Sequence, residues 1–166
     1  MTFASSTRFD HALAPAMAII ARAKDITDMI EARLAPVLQL AIRLWIANLF
    51  FKSGMTKIAD WPSTLFLFEF EYQVPILPTN VAAAMGTTFE LTMPILLVLG
   101  LGARLAALPL LGMAMIIQFV LGAGNAAFDN VEHFYWMFML AIIALRGAGP
   151  ISLDYLLLTW IKTQRG

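Results

Sequence analysis

Two ionisable residues, Arg43 and Glu90, stand inside stretches otherwise apolar enough to enter a lipid bilayer. Charges in hydrocarbon are costly, so those that persist face a bundle interior, a water-filled cavity or each other. At ~1.5 Å per residue, Arg43 falls roughly ten residues before the expected outer end of its span and Glu90 about eleven after the outer start of the next, so both sit ~15 Å deep. Shared depth on consecutive antiparallel helices predicts an Arg43–Glu90 ion pair, which lowers the cost of burying either charge. Pro94 has no N–H to donate to the Glu90 carbonyl, so a kink is predicted at the acid, with Arg43, Thr87 or a water taking up the freed oxygen. Such a pair either fixes the register of two helices or lines a proton relay or a polar head-group site for a quinone-type ligand.

A second polar layer lies nearer the expected outer face: Lys57, Gln118, Asp129, Glu132 and His133. If the first helix continues past Gly54, Lys57 returns to within ~40° of Arg43 and the two form a basic stripe toward the bundle. His133 and Met137, four apart on one helix face, have the spacing of half a soft-metal site. With ten methionines in so apolar a chain, gap-filling packing is the plainer role for Met137, and an interfacial anchor the plainer role for His133. No metal or nucleotide cofactor is expected, and no nucleophile, zinc-hydrolase or phosphate-loop pattern is present. The chain has no cysteine, so it brings no thiol of its own to redox chemistry.

The elements that must position these residues follow from hydropathy. Of the 166 residues 60% are hydrophobic and 13% charged, against roughly 45–50% and 25% in soluble domains. Four segments approach the ~18–20 residues needed to cross a bilayer: Pro36 to Ser53, Thr79 to Leu99, Arg104 to Leu121, and Val131 to Leu145 with its His133-Phe134-Tyr135-Trp136 belt. Gly100-Leu101-Gly102 marks a tight turn between the second and third, and Gly122-Ala123-Gly124-Asn125 closes the third. The expected fold is all-α: a four-transmembrane-helix antiparallel bundle preceded by an N-terminal amphipathic segment.

Residues 1–35 are expected as a retained cytoplasmic segment, 36–157 as the membrane domain and 158–166 as a C-terminal tail. Apolar residues from His11 to Leu34 recur among charges at helical spacing. Charges from Arg22 to Arg33 interrupt any signal-peptide core. Arg8, Arg22, Lys24, Arg33, Arg104, Arg146, Lys162 and Arg165 fall at one end of the spans, whereas Asp60, Glu69, Glu71, Asp129 and Glu132 outweigh Lys52 and Lys57 at the other. By the positive-inside rule both termini are cytoplasmic, in a multi-pass protein of a bacterial inner membrane. Between Ile58 and Pro78, Phe66, Phe68, Phe70 and Tyr72 alternate as in a strand; a lone strand has no partner there, so a short interfacial helix is expected. Eleven basic residues balance eleven acidic ones, leaving no cationic field to attract nucleic acid.

The string from Arg43 to Ile58, RLWIANLFFKSGMTKI, resembles the opening of the DoxX family of small four-helix membrane proteins. Gln73-Val74-Pro75, Glu90 followed by Leu96 to Arg104, and Gly147-Ala148-Gly149-Pro150-Ile151-Ser152-Leu153-Asp154 are similar, in order, to later family features. The resemblance covers Pro36 to Leu157. It implies a membrane subunit: the family's name comes from a subunit associated with thiosulfate:quinone oxidoreduction, other members are linked to complexes handling thiol or oxidative stress, and a further set is encoded beside iron-dependent peptide-modifying enzymes and small secreted metal-binding peptides. Absence of cysteine puts direct thiol oxidation out of line with the redox relatives.

The reading is therefore an accessory subunit of a redox, oxidative-stress or metal-stress system, more a membrane partner than a self-contained enzyme. A quinone is the cofactor it admits, at Arg43 and Glu90. The expected partners are the lipid bilayer, membrane or periplasmic redox or metal-handling proteins, and a second copy in a homo-oligomer. The alternative is a small oligomeric transporter or exporter component in which Glu90 is the coupling carboxylate.

Overall fold

A computed structural model describes residues 6–74 and 76–165. Met1–Ser5 of the expected N-terminal segment, Pro75 of the family-like string, Gly166, and the side chains of His11 and Ala12 lie outside the described residues. Every regular element described is helical: α1 (Ser6–Ala59), α2 (Trp61–Leu67) running on into a π-helical turn (Phe68–Tyr72), α3 (Thr79–Leu99), α4 (Ala103–Met115) running on into a second π-helical turn (Ile116–Leu121) and a last turn at Gly122–Gly124, a 3₁₀ turn (Ala126–Phe128), α5 (Val131–Arg146) and α6 (Leu153–Arg165). Residues expected as a C-terminal tail from 158 are thus helical through Arg165.

The chain divides into two compact units, Met1–Val37 and Leu38–Gly166. In the first, α1 residues 17–34 are exposed on every face, including Met17, Ile19, Ile20, Ile26, Met29 and Ile30. In the second, α1, α3, α4 and α5 share one apolar core that includes Ile46, Phe50, Leu97, Leu110, Leu140 and Ile143. Each helix reaches it with a single face, as a period near 3.6 requires. On α1 the buried positions are Arg43, Ile46, Ala47, Phe50 and Gly54; on α3 they are Ala82, Ala83, Thr87, Glu90, Pro94 and Leu97. The α4 stripe is mostly alanine (Ala103, Ala106, Ala107, Ala114), and small side chains let α4 approach its neighbours closely, the usual basis of helix association in lipid.

Among the described residues, three helices are long and apolar enough to cross a membrane: Met17–Ala59, Thr79–Leu99 and Ala103–Gly124. α5 is as apolar but has 16 residues, ~24 Å at the helical rise. Between α3 and α4 the chain turns on Gly100 (φ +66°) and Gly102 (φ +57°), where the Leu101 N–H donates to the Leu96 carbonyl at 3.0 Å. Left-handed residues of this kind close a Schellman-type cap, and glycine adopts them without a Cβ penalty.

Candidate functional site

Arg43 and Glu90 are both buried, at 1% and 3% exposure, but they do not meet. Arg43 sits at the Gly100–Gly102 end, where its Nη1 donates to the Leu97 carbonyl at 3.1 Å and its Nη2 donates to the Ile151 carbonyl. Glu90 pairs instead with Lys57, whose Nζ lies 2.7 Å from Oε2 and 2.9 Å from Oε1. The physical reason is the length of α1. It continues beyond Ser53 to Ala59, so Arg43 lies ~24 Å below the end of its helix rather than ~15 Å. Lys57, on the same face, arrives at Glu90 in its place. Pro94 is fully buried and α3 runs on through it to Leu99. Arg43, committed at Leu97, is not the partner of the carbonyl that Pro94 leaves free.

The Arg43 end is a clasp that ties three separate stretches of chain. Asp154 accepts from the N–H groups of Gly102 at 2.9 Å and Ala103 at 3.4 Å, capping α4, while its own N–H donates to the Gly100 carbonyl at 3.0 Å. The Ser152 hydroxyl donates to the Gly149 carbonyl at 2.6 Å and accepts from the Tyr155 N–H at 3.2 Å, starting α6. A Cβ at Gly100 would stand 2.5 Å from Ser152 Cβ and collide with Arg43. These hydrogen bonds tie the α3–α4 turn to the start of α6.

The other polar layer is built around the Lys57–Glu90 pair. Lys57 Nζ also donates to Ser53 Oγ, one helical turn back, at 2.8 Å. Gly54 sits beside the pair because a Cβ there would stand 2.9 Å from Leu91 Cδ2 and 3.1 Å from Glu90 Cβ. Glycine here lets α1 and α3 approach without displacing the Leu91 side chain. The pair lies on the wall of a cavity of about 400 Å³ whose lining is otherwise mainly apolar and includes Phe68, Tyr72, Met113, His133 and Trp136. Both π-helical turns contribute to it, through Phe68 and Tyr72 and through Ile116, Ile117 and Leu121. π-Turns displace side chains from the regular α-helical face and recur at functional sites.

Gln118, on the second π-turn, is buried behind this wall. Its Nε2 donates to Asp129 Oδ1 at 2.6 Å, and its Oε1 lies 2.9 Å from His133 Nδ1 and accepts from the Asn130 N–H at 3.4 Å. The His133 ring meets Trp136 edge-on at 4.7 Å between centroids. Met137 packs against the apolar core, and among the described residues no group of three or more His, Cys, Asp or Glu is placed to hold a metal. Tyr72 lies outside the apolar spans; burial, reinforced by the charges of Glu90 and Glu71, pushes its phenol above the ordinary value, so the hydroxyl keeps its proton. Of the site residues expected from sequence, the cavity gathers Lys57, Glu90 and His133, with Gln118 behind. Arg43 belongs elsewhere. Ser53, Tyr72 and Trp136 were missed; Ser53 stands four before Lys57 and Trp136 three after His133, spacings that place each pair on one helix face.

Among the described residues, three helices able to cross a bilayer, with the buried Glu90 paired and the buried Arg43 hydrogen-bonded, define a membrane protein. The DoxX family model matches residues 38–123, just over half of the chain, and the protein belongs to that family. The match contains the Lys57–Glu90 pair and ends before His133 and the C-terminal string from Gly147 to Asp154. No curated protein and no solved structure matches the chain.

Proposed function

We propose that this DoxX protein is an accessory subunit of a redox, oxidative-stress or metal-stress system, and that its cavity holds the ring of a quinone-type amphiphile. The single observation that carries the reading is a buried Lys57–Glu90 pair on the wall of an otherwise apolar cavity of about 400 Å³. That volume lies within the ~300–1,000 Å³ of small-molecule sites, which combine apolar walls with a few convergent polar groups. A pair that served only to fix helix register would have no need of a cavity beside it. The quinone site expected at Arg43 and Glu90 is accordingly proposed at Lys57 and Glu90.

The proposed setting is a bacterial inner membrane crossed four times, α5 completing the set with its aromatic N-terminal turn at the interface, both termini cytoplasmic. Residues 1–35 form the amphipathic cytoplasmic segment. The bilayer, membrane or periplasmic partner proteins and a second copy are the proposed neighbours. Purified protein in nanodiscs is expected to bind a short-chain analogue of the quinone/hydroquinone pair, and Glu90→Gln to weaken binding of the hydroxyl-bearing form roughly 10-fold or more, the loss of one buried charge-assisted contact. Folded protein that binds no analogue overturns the reading. If Glu90→Gln instead abolishes solute flux in proteoliposomes, the transporter reading with Glu90 as coupling carboxylate replaces it.

A further inference from the structure

The hydrogen-bonding capacity left over around the cavity is unevenly divided between donors and acceptors. Lys57 has three N–H donors and three acceptors, Ser53 Oγ, Glu90 Oε1 and Glu90 Oε2, within 2.7–2.9 Å, so it has none to offer a ligand. Glu90 accepts two of those bonds and faces the Ser53 hydroxyl as a third donor, which leaves about one of a carboxylate's roughly four lone-pair sites for a ligand. The His133 ring is fixed by a chain of constraints. Asp129 faces the Gln118 amide at Nε2 and the Asn130 N–H faces it at Oε1, so the amide has one orientation. Gln118 Oε1 is then an acceptor, and His133 Nδ1, 2.9 Å away, must carry the proton. In a neutral imidazole so held, Nε2 is an acceptor. Trp136, a donor only, has its Nε1 buried without a hydrogen-bond partner among the described residues. Tyr72 can act in either sense.

We infer that the cavity selects the reduced, hydroxyl-bearing form of an aromatic ligand, a hydroquinone rather than a quinone, with His133 Nε2 and Glu90 accepting from its hydroxyls. A quinone brings only acceptors; it can engage Tyr72 but leaves Glu90 and His133 facing carbonyl lone pairs. A hydroquinone donates to both acceptors and can still accept from Tyr72. Gln118, which does not line the cavity, acts as a positioning residue through the tautomer it imposes on His133. No electron transfer is part of this inference. It rests on the cavity being a ligand site, and the test separates the two.

The experiment measures binding of three probes to the full chain in nanodiscs: a short-chain alkyl hydroquinone under reductant, its dimethyl ether, and the corresponding quinone. A hydroquinone preference of roughly 10-fold or more over both others is expected from the cost of leaving buried acceptors unmatched, and in His133→Phe it should shrink to within about 3-fold. Nitrogen-15 NMR of histidine-labelled protein, with the signal assigned by comparison with His11→Asn, should show His133 protonated at Nδ1. Gln118→Leu should populate both tautomers. Equal binding of hydroquinone and quinone, or an Nε2-protonated His133, overturns the inference while leaving the cavity a ligand site. Failure of all three probes to bind folded protein overturns both.

Discussion

Glu90→Gln leaves the Lys57 ammonium buried with only neutral acceptors, and losing one member of a buried pair typically costs ~3–5 kcal/mol. The double variant Lys57→Met/Glu90→Met removes both charges from an apolar setting and should recover most of that loss, because the pair's attraction mainly offsets its own desolvation. Denaturant unfolding in detergent, run as a double-mutant cycle, checks both values. Gly54→Ala is expected to cost about 1–3 kcal/mol, since its Cβ meets the branched end of Leu91 and the two helices must part or the leucine must leave its rotamer. Sequence identified Arg43, Lys57 and Glu90 as the charges to explain, because apolar context makes any charge conspicuous. It misassigned who meets whom, because depth counting depends on where α1 ends, and hydropathy falls away at Ser53 and Lys52 six residues before the helix does. Donor and acceptor placement at His133 was out of reach, since it depends on Gln118 arriving from the π-helical turn that follows α4.

α2 shows how one pattern can fit two structures. Phe66, Phe68, Phe70 and Tyr72 alternate as in a strand, yet they resolve into two helical i,i+4 pairs. Phe66 and Phe70 meet tilted at 4.7 Å between ring centroids on the exposed side, and Phe68 and Tyr72 edge-to-face at 5.0 Å on the side facing the cavity. Four aromatics at every second position place two on each face of a helix as readily as all four on one face of a strand. At its start, Asp60 accepts from the Ser63 N–H at 3.1 Å and from its hydroxyl at 2.6 Å, which holds the carboxyl below its ordinary value. A depressed folded-state pKa gives stabilisation that is present above the unfolded value, near 3.9, and is lost as pH falls through the folded one. Amide exchange in α2 should therefore speed up below about pH 4, and Asp60→Asn, which still caps, should abolish that acid dependence. Asp154→Ala, removing the cap on α4, is expected to cost ~0.5–2 kcal/mol by thermal unfolding.

For the molecule as a whole, composition alone identified the solvent. Sixty per cent apolar residues leave too little polar surface to cover a soluble domain of 166 residues, and the turn glycines stand where the helices end. Pairing of α1 with α3 was foreseeable from chain order. The engagement of the Gly147 to Asp154 string with the α3–α4 turn was not, because it depends on contacts such as Asp154 N–H to the Gly100 carbonyl that no local pattern encodes. The clasp also has a consequence in time. One of Arg43's carbonyl partners lies 54 residues downstream and the other 108. At ~5–20 residues per second, a ribosome reaches Ile151 roughly 5–20 s after Arg43. Through that interval the nascent first helix carries a guanidinium whose final ligands do not yet exist, so the charge must be held at the lipid surface or by the insertion machinery. Closure of the bundle at this end therefore waits for the Gly147 to Asp154 string.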